Sequence, residues 1–118
     1  MSELDITEQD GVSVVSLGSA YESFDPMELR HLSETLLACV DQTAPPRLVL
    51  DLTQTKFLDS TFLETLFRVW KRVKQRSGDM ALCGLDANCA KVLQVTRLDT
   101  IWTVCPTREE AIGKIKKG

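Results

Sequence analysis

The sequence predicts an α/β fold in which about four helices flank a mixed, mostly parallel sheet of about five strands. Strand-like apolar segments alternate with segments of helical periodicity in the order β β α β α β α β α. The run "RLVLDL" is almost wholly apolar, which is typical of a strand covered on both faces. The first two strand segments are separated by "QDG", a turn signal that predicts an antiparallel edge. A chain of 118 residues fits one domain, residues 1–118, with one core.

The N-terminal half predicts a hairpin, a helix and a central strand. Residues 4–8 and 12–17 are rich in β-branched and aliphatic side chains, and these favour strands. Asp25 is the predicted N-cap of the first helix, which continues to about Val40 because leucines recur at helical spacing. Two consecutive prolines then break the chain before "RLVLDL", which is the predicted central strand.

The C-terminal half predicts three helices and two strands. The second helix is predicted over residues 62–76. Its apolar face is predicted to consist of Leu63, Leu66, Phe67, Trp70 and Val73. The strand "MALCGL" should follow, then a helix from the N-cap Asp86 through Val95, then the short strand "TIWTV". Thr107 and Glu110 form a capping box that predicts the last helix.

Composition and charge argue against several classes of function. Hydrophobic residues make up 43% and charged residues 26% of the chain, as in an ordinary globular protein. The net charge of -3 gives no basic patch for nucleic acid or an anionic membrane. No apolar run approaches the roughly 20 residues that span a bilayer, and "MSELDITEQDG" lacks the features of a signal peptide. We therefore expect a cytoplasmic protein with no direct nucleic-acid contact and no membrane insertion.

The residue types that usually carry catalysis do not form a recognisable pattern. Cys39, Cys83, Cys89 and Cys105 contain no C-x-x-C pair, so we expect reduced and mostly buried thiols, with a regulatory thiol as the alternative. The single histidine, His31, lies about 160° from Leu29 on a helical wheel and should be solvated. The phosphate-binding glycine loops and the G-x-S-x-G elbow are missing from the sequence. We expect neither enzymatic activity nor a cofactor or metal.

The segment "KFLDSTFLETL" places small polar residues between the central strand and the second helix. Thr61 and Glu64 match a capping box, and Asp59 or Ser60 can also accept hydrogen bonds from free N–H groups there. Thr61 also lies beside Arg68 and Arg72 on the helical wheel, so its side chain should face solvent, where a kinase could reach it. Capping and a phosphorylation switch are both compatible with this pattern.

The stretch "LVLDLTQTKFLDSTFLETL" resembles the STAS domain of anti-sigma-factor antagonists, whose matching segment reads approximately D-L-S-x-V-x-F-I-D-S-S-G-L-x-x-L. The resemblance covers nearly the whole chain and is most specific from Leu48 to Ile112. It implies a STAS fold and a non-enzymatic, partner-switching protein. The implied partners are an anti-sigma factor, commonly a serine/threonine kinase with a histidine-kinase-like ATPase fold, and a phosphatase that reverses the phosphorylation.

The resemblance also implies roles for individual residues. Thr61 stands at the position of the phosphoacceptor, with Ser60 as the alternative. The implied partner-binding residues are Glu22, Asp59, Ser60, Phe62 and Glu64. Phe62 replaces a glycine of the family pattern, so it would either block docking or present an apolar anchor, and an exposed phenylalanine leaves dimerisation open. Glu64 stands at the next small position of the family pattern, and its charge would repel a phosphate on Thr61. These two departures keep a second function open, namely an unphosphorylated STAS scaffold or a module associated with a transporter ATPase.

Overall fold

The computed structural model describes residues 5–17, 26–42, 45–55, 58 and 60–116. Within these ranges the chain forms five strands, four α-helices and one 3₁₀ turn at Leu98–Thr100. The elements are β1 Asp5–Gln9, β2 Val12–Ser16, α1 Pro26–Asp41, β3 Arg47–Asp51, α2 Ser60–Gln75, β4 Asp79–Cys83, α3 Ala87–Thr96, β5 Thr103–Cys105 and α4 Arg108–Ile115. None of the described helices is both long enough and apolar enough to cross a membrane.

The sheet has the strand order β1-β2-β3-β4-β5. β1 and β2 are antiparallel, and the other neighbouring pairs are parallel. Asp10 and Gly11 both adopt positive φ, of 56° and 77°, in the hairpin turn, which is the conformation that a tight two-residue turn requires. The predicted α/β class and the mixed, mostly parallel sheet are therefore confirmed.

Strand β3 is buried on both faces, as the sequence predicts for the central strand. Leu48 and Leu50 lie in a cluster with apolar residues of α1, α2 and α3. Val49, the residue between them, lies in a second cluster with Ala111 and Ile112 of α4. Alternate side chains of a strand point to opposite faces, so the helices α1 to α3 cover one face of the sheet and α4 covers the other.

Two of the predicted helix caps are confirmed. The Asp86 carboxylate accepts a hydrogen bond of 2.8 Å from the Cys89 backbone N–H at the start of α3. The Thr107 hydroxyl accepts one of 3.2 Å from the Glu110 N–H at the start of α4. Another predicted N-cap, Asp25, lies outside the described residues.

Helix α2 buries a stripe that matches the predicted face only in part, since Leu66 and Val73 are buried as predicted but Phe67 is not. Its buried residues are Phe62, Thr65, Leu66, Val69 and Val73. Phe67 is 37% exposed, and Leu63 and Trp70 are only partly buried. The buried stripe differs because Phe62 enters the core. The buried residues four, seven and eleven positions after it lie on the same side of the helix, which places the stripe away from Phe67.

An ion pair between distant parts of the sequence fixes α4 at the carboxyl ends of the strands. Arg108 Nη2 donates to Asp51 Oδ2 at 2.7 Å and to the Ser16 hydroxyl at 2.6 Å. Burial raises the pKa of Asp51, but hydrogen bonds from Thr53 and Arg108 outweigh that effect and hold it below its usual range. This contact ties α4 to β2 and β3 at the carboxyl edge of the sheet, the same edge at which α2 begins on the other face.

Candidate functional site

The connection from β3 to α2 brings the chain to the carboxyl edge of the sheet. The Leu52 N–H donates to the Cys83 carbonyl at 2.9 Å, and the Thr55 N–H donates to the Leu52 carbonyl at 2.9 Å. Leu58 is buried in the core next to the start of α2. The small polar residues that follow therefore lie at a strand end, where α/β proteins commonly bind ligands and partners.

Thr61 lies in the first turn of α2 with an exposed side chain. The prediction that this side chain faces solvent is therefore confirmed. Its backbone carbonyl accepts a hydrogen bond of 3.1 Å from the hydroxyl of Thr65, one turn later. Because α2 begins at Ser60, Thr61 is a helical residue and does not occupy the N-cap position. The predicted capping box of Thr61 with Glu64 is wrong for this reason.

Phe62 does not belong to the exposed surface. Its side chain is 0% exposed and lies in the core cluster with Leu66 and Val69. The expectation of an exposed apolar anchor at Phe62, and of dimerisation through it, is corrected by this burial. The bulk that replaces the glycine of the STAS pattern points into the core, so it does not obstruct the surface beside Thr61.

The other predicted site residues divide into two groups. Ser60 and Glu64 are exposed on the first turns of α2, near Thr61. Glu22 and Asp59 lie outside the described residues, so their predicted roles stay predictions.

The exposed side of α2 also forms an apolar groove that the sequence did not reveal. The floor of this groove consists of Leu63 and Phe67 of α2 with Leu98 of the 3₁₀ turn. Arg68 and Lys71 line it as well, and its volume is about 460 Å³. The centroids of the Phe67 and Trp70 rings are 5.4 Å apart, and this ring contact helps to hold Phe67 at the groove. We call this feature the α2 groove.

Ser60 and Glu64 complete the lining at the end of the groove nearest to Thr61. The one signal of this surface in the sequence is the apolar periodicity of Leu63 and Phe67, but the same pattern predicts a core face. The contribution of Leu98 depends on a tertiary contact, which periodicity cannot show.

Histidine, cysteine and acidic side chains form no cluster of three or more suited to a metal ion within the described part of the chain. Cys83, Cys89 and Cys105 are buried, as predicted, and Cys39 is partly buried. Burial raises the pKa of the Cys83 thiol to about 12, with a smaller effect from the Asp51 charge, so this thiol is protonated at neutral pH. His31 is exposed on α1, as predicted.

Comparisons with known proteins agree with this architecture. A family model described as the STAS domain matches residues 3–111. BtrV of Bordetella bronchiseptica, which carries the name of an anti-sigma factor antagonist, is 27% identical over 107 residues, or 91% of this chain and 89% of BtrV. A solved STAS protein from Planctomyces limnophilus, described as an anti-sigma-factor antagonist, is 32% identical, with a TM-score of 0.86 over 94% of this chain and 96% of that one.

A more distant structure shares the fold alone. SpoIIAA of Bacillus, solved in its phosphorylated form, is 16% identical and superposes with a TM-score of 0.69. The alignment covers 94% of this chain and 97% of SpoIIAA.

Proposed function

Because the chain belongs to the STAS domain family, we propose that it is an anti-sigma-factor antagonist that is switched off by phosphorylation of Thr61. In this proposal its partner is an anti-sigma factor that is also a serine/threonine kinase with a histidine-kinase-like ATPase fold. A phosphatase restores the active form. The names carried by the relatives from Bordetella bronchiseptica and Planctomyces limnophilus support the antagonist role, and the phosphorylated form of SpoIIAA supports the switch.

The observation that carries the proposal is the exposed Thr61 side chain in the first turn of α2. A kinase needs a hydroxyl that it can reach without unfolding the substrate, and Thr65, on the same helix, is buried. Ser60 is exposed beside Thr61 and is the alternative acceptor. Glu22, Asp59, Ser60 and Glu64 are the proposed partner contacts. Phe62 is left out because it is buried.

Phosphorylation would act mainly on the partner. A phosphoryl group adds roughly -1.5 to -2 charges at neutral pH. At the start of a helix the free N–H groups and the macrodipole favour an anion, so the fold should tolerate it. A partner surface packed on this end of α2 would have to desolvate the new dianion, and its affinity should fall.

The experiment that tests the proposal is phosphate mapping combined with partner capture. The protein is incubated with ATP and extract of its source cells, and the modified residue is identified by peptide mass spectrometry. Partner capture is then compared among the parent, Thr61→Ala and Thr61→Glu. Asn88→Glu is the matched control, because Asn88 is the exposed second residue of α3, as Thr61 is of α2.

We expect phosphate on Thr61, loss of partner capture for Thr61→Glu alone, and resistance of Thr61→Ala to modification. If Thr61 stays unmodified and Thr61→Glu retains every partner, the switch is refuted. Phosphate on Ser60 would move the acceptor by one residue and leave the antagonist role in place.

One observation favours a second function. Glu64 is exposed one turn after Thr61, and its negative charge would repel a phosphate there. A STAS scaffold, or a module associated with a transporter ATPase, would use the same surface without phosphorylation. Capture of one partner by the parent and by Thr61→Glu with equal yield would support this alternative.

A further inference from the structure

The exposed side of α2 carries an apolar groove that extends beyond the proposed phosphorylation site at Thr61. We propose that the α2 groove binds an acidic amphipathic helix of a protein partner, with apolar side chains on Leu63, Phe67 and Leu98 and carboxylates facing Arg68 and Lys71. The inference deepens the proposed function, because the groove begins beside Thr61 and would hold a segment of the same partner.

The charges of α2 favour an acidic ligand. Arg72 pairs with Asp41 at 3.0 Å, and Lys74 approaches Asp79 at 3.4 Å. Arg68 and Lys71 form no such pair with any residue that the structure describes. Two cations therefore line the groove without an ion pair, beside a single carboxylate, that of Glu64, in the same lining.

The chain as a whole carries a net charge of -3. Two cations on an otherwise acidic chain fit a partner with a few well-placed carboxylates better than a polyanion such as nucleic acid. Complementary charges of this kind steer association and select among partners.

A second copy of this chain is a poorer occupant. Its α4 carries two exposed acidic residues, Glu109 and Glu110, in the first turn. The apolar residues of α4, Ala111, Ile112 and Ile115, are buried against the sheet of their own chain. The acidic turn of a second copy therefore has no free apolar stripe to place on the groove floor.

The length of the groove fits a short helix. From Ser60 to Lys71 the helix rises about 16 Å, or three turns, at about 1.5 Å per residue. Leu63 and Phe67 are four residues apart and lie on one side of α2. A partner helix of about three turns can bury apolar residues at positions i, i+4 and i+7 along such a groove.

The position of Thr61 connects the groove to the switch. Ser60 and Glu64 line the groove end nearest to Thr61. A phosphate on Thr61 would place two negative charges beside the N-terminal entrance, where they would repel the carboxylates of an acidic helix. The same partner would then lose its charge complementarity at one end while the apolar floor remained unchanged.

The test uses two designed peptides, since the natural partner is unidentified. Both are 14-residue helical peptides with blocked ends and leucines at i, i+4 and i+7. One has glutamates flanking the leucine stripe, and the other has lysines at the same positions. Titration of the isotope-labelled full chain is followed by backbone NMR shifts, which give both the affinity and the surface that responds.

We expect the acidic peptide to shift the amides of Leu63, Phe67 and Leu98, and the basic peptide to bind at least about tenfold more weakly. Raising the salt from 0.05 to 0.5 M should weaken the acidic peptide, because exposed charge pairs are screened. Binding of both peptides with equal affinity, or shifts confined to another face, would overturn the proposal. Concentration-dependent shifts of the groove without peptide would also overturn it, in favour of a second copy.

Charge reversal provides the matched comparison. Arg68→Glu combined with Lys71→Glu should lower the affinity for the acidic peptide at least about tenfold and raise that for the basic one. Lys91→Glu combined with Lys114→Glu changes the net charge equally on helices α3 and α4 and should leave both affinities unchanged.

Unchanged affinity in the groove variant would refute the proposal. These measurements need neither kinase nor phosphate, so they can fail while the Thr61 switch stands, and the switch can fail while they succeed.

Discussion

Replacing Phe62 measures directly how α2 is oriented. The side chain is 0% exposed, and truncating a fully buried phenylalanine to alanine costs about 3–5 kcal/mol. Phe62→Gly, which restores the glycine of the STAS pattern, should cost about 1 kcal/mol more because glycine is unfavourable inside a helix. The sum is a large part of the roughly 5–15 kcal/mol by which a domain of this size is stable.

Phe67→Ala on the same helix is the matched control. Phe67 is 37% exposed and has a ring contact with Trp70, so its truncation should cost about 2 kcal/mol, less than that of the fully buried Phe62. Urea unfolding followed by far-UV circular dichroism gives both values. With a denaturant slope of about 2 kcal/mol per molar, Phe62→Ala should lower the midpoint by about 1.5–2.5 M and Phe67→Ala by about 1 M. Equal midpoints for the two variants would refute the burial of Phe62, and a larger loss for Phe67→Ala would restore the helix face predicted from sequence.

Three further changes test the contacts that support the site. The folded-state pKa of Asp51 is below its unfolded value, so its stabilising effect is present above about pH 4 and is lost as the pH falls through the folded-state pKa. Asp51→Asn should therefore have a lower free energy of unfolding at pH 7. In urea titrations from pH 7 to pH 2, that free energy should also fall less steeply than in the parent, and an unchanged pH dependence would contradict this. Gly84→Ala should cost more than about 1 kcal/mol in thermal unfolding, because Gly84 has φ of +76° and an added Cβ would overlap the Thr53 side chain, whereas Gly113→Ala, with no atom near its Cβ, should not. Asp86→Ala should cost about 1 kcal/mol through loss of the α3 cap, and an unchanged melting temperature would show that this hydrogen bond contributes nothing.

The elements that depend on local signals could be predicted from the sequence. The caps at Asp86 and Thr107 and the strand "RLVLDL" follow from residues close together in the chain, and the structure confirms them. The face of α2 could not be fixed in the same way. Phe62 and Phe67 are five residues apart, so each can define a stripe of helical period, and only the packing of Phe62 into the core selects one.

Contacts between residues that are far apart in the sequence could not be predicted from sequence patterns. Asp51 and Arg108 are 57 positions apart, and their pairing depends on α4 crossing to the face of the sheet opposite α1. Leu98 joins the α2 groove for a similar reason, since a 3₁₀ turn after α3 brings it beside α2. The exposure of Thr61 was predictable because its place on the helical wheel does not depend on such contacts.

The burial of Phe62 leaves Glu64 as the departure from the STAS pattern that bears on the surface. Residues three apart on a helix have Cβ atoms about 5–6 Å from one another, so a phosphate on Thr61 would be repelled by Glu64 by about 0.5–1 kcal/mol in screened water. The helix dipole offers the phosphate about 0.3–1 kcal/mol of stabilisation at the same end of α2. The two effects nearly cancel, so a negative charge at Thr61 should leave the fold unchanged and act on the partner alone. Thr61→Glu should accordingly keep the urea midpoint of the parent within about 0.3 M while losing its partner, and a large fall in that midpoint would mean that the loss of binding reflects unfolding.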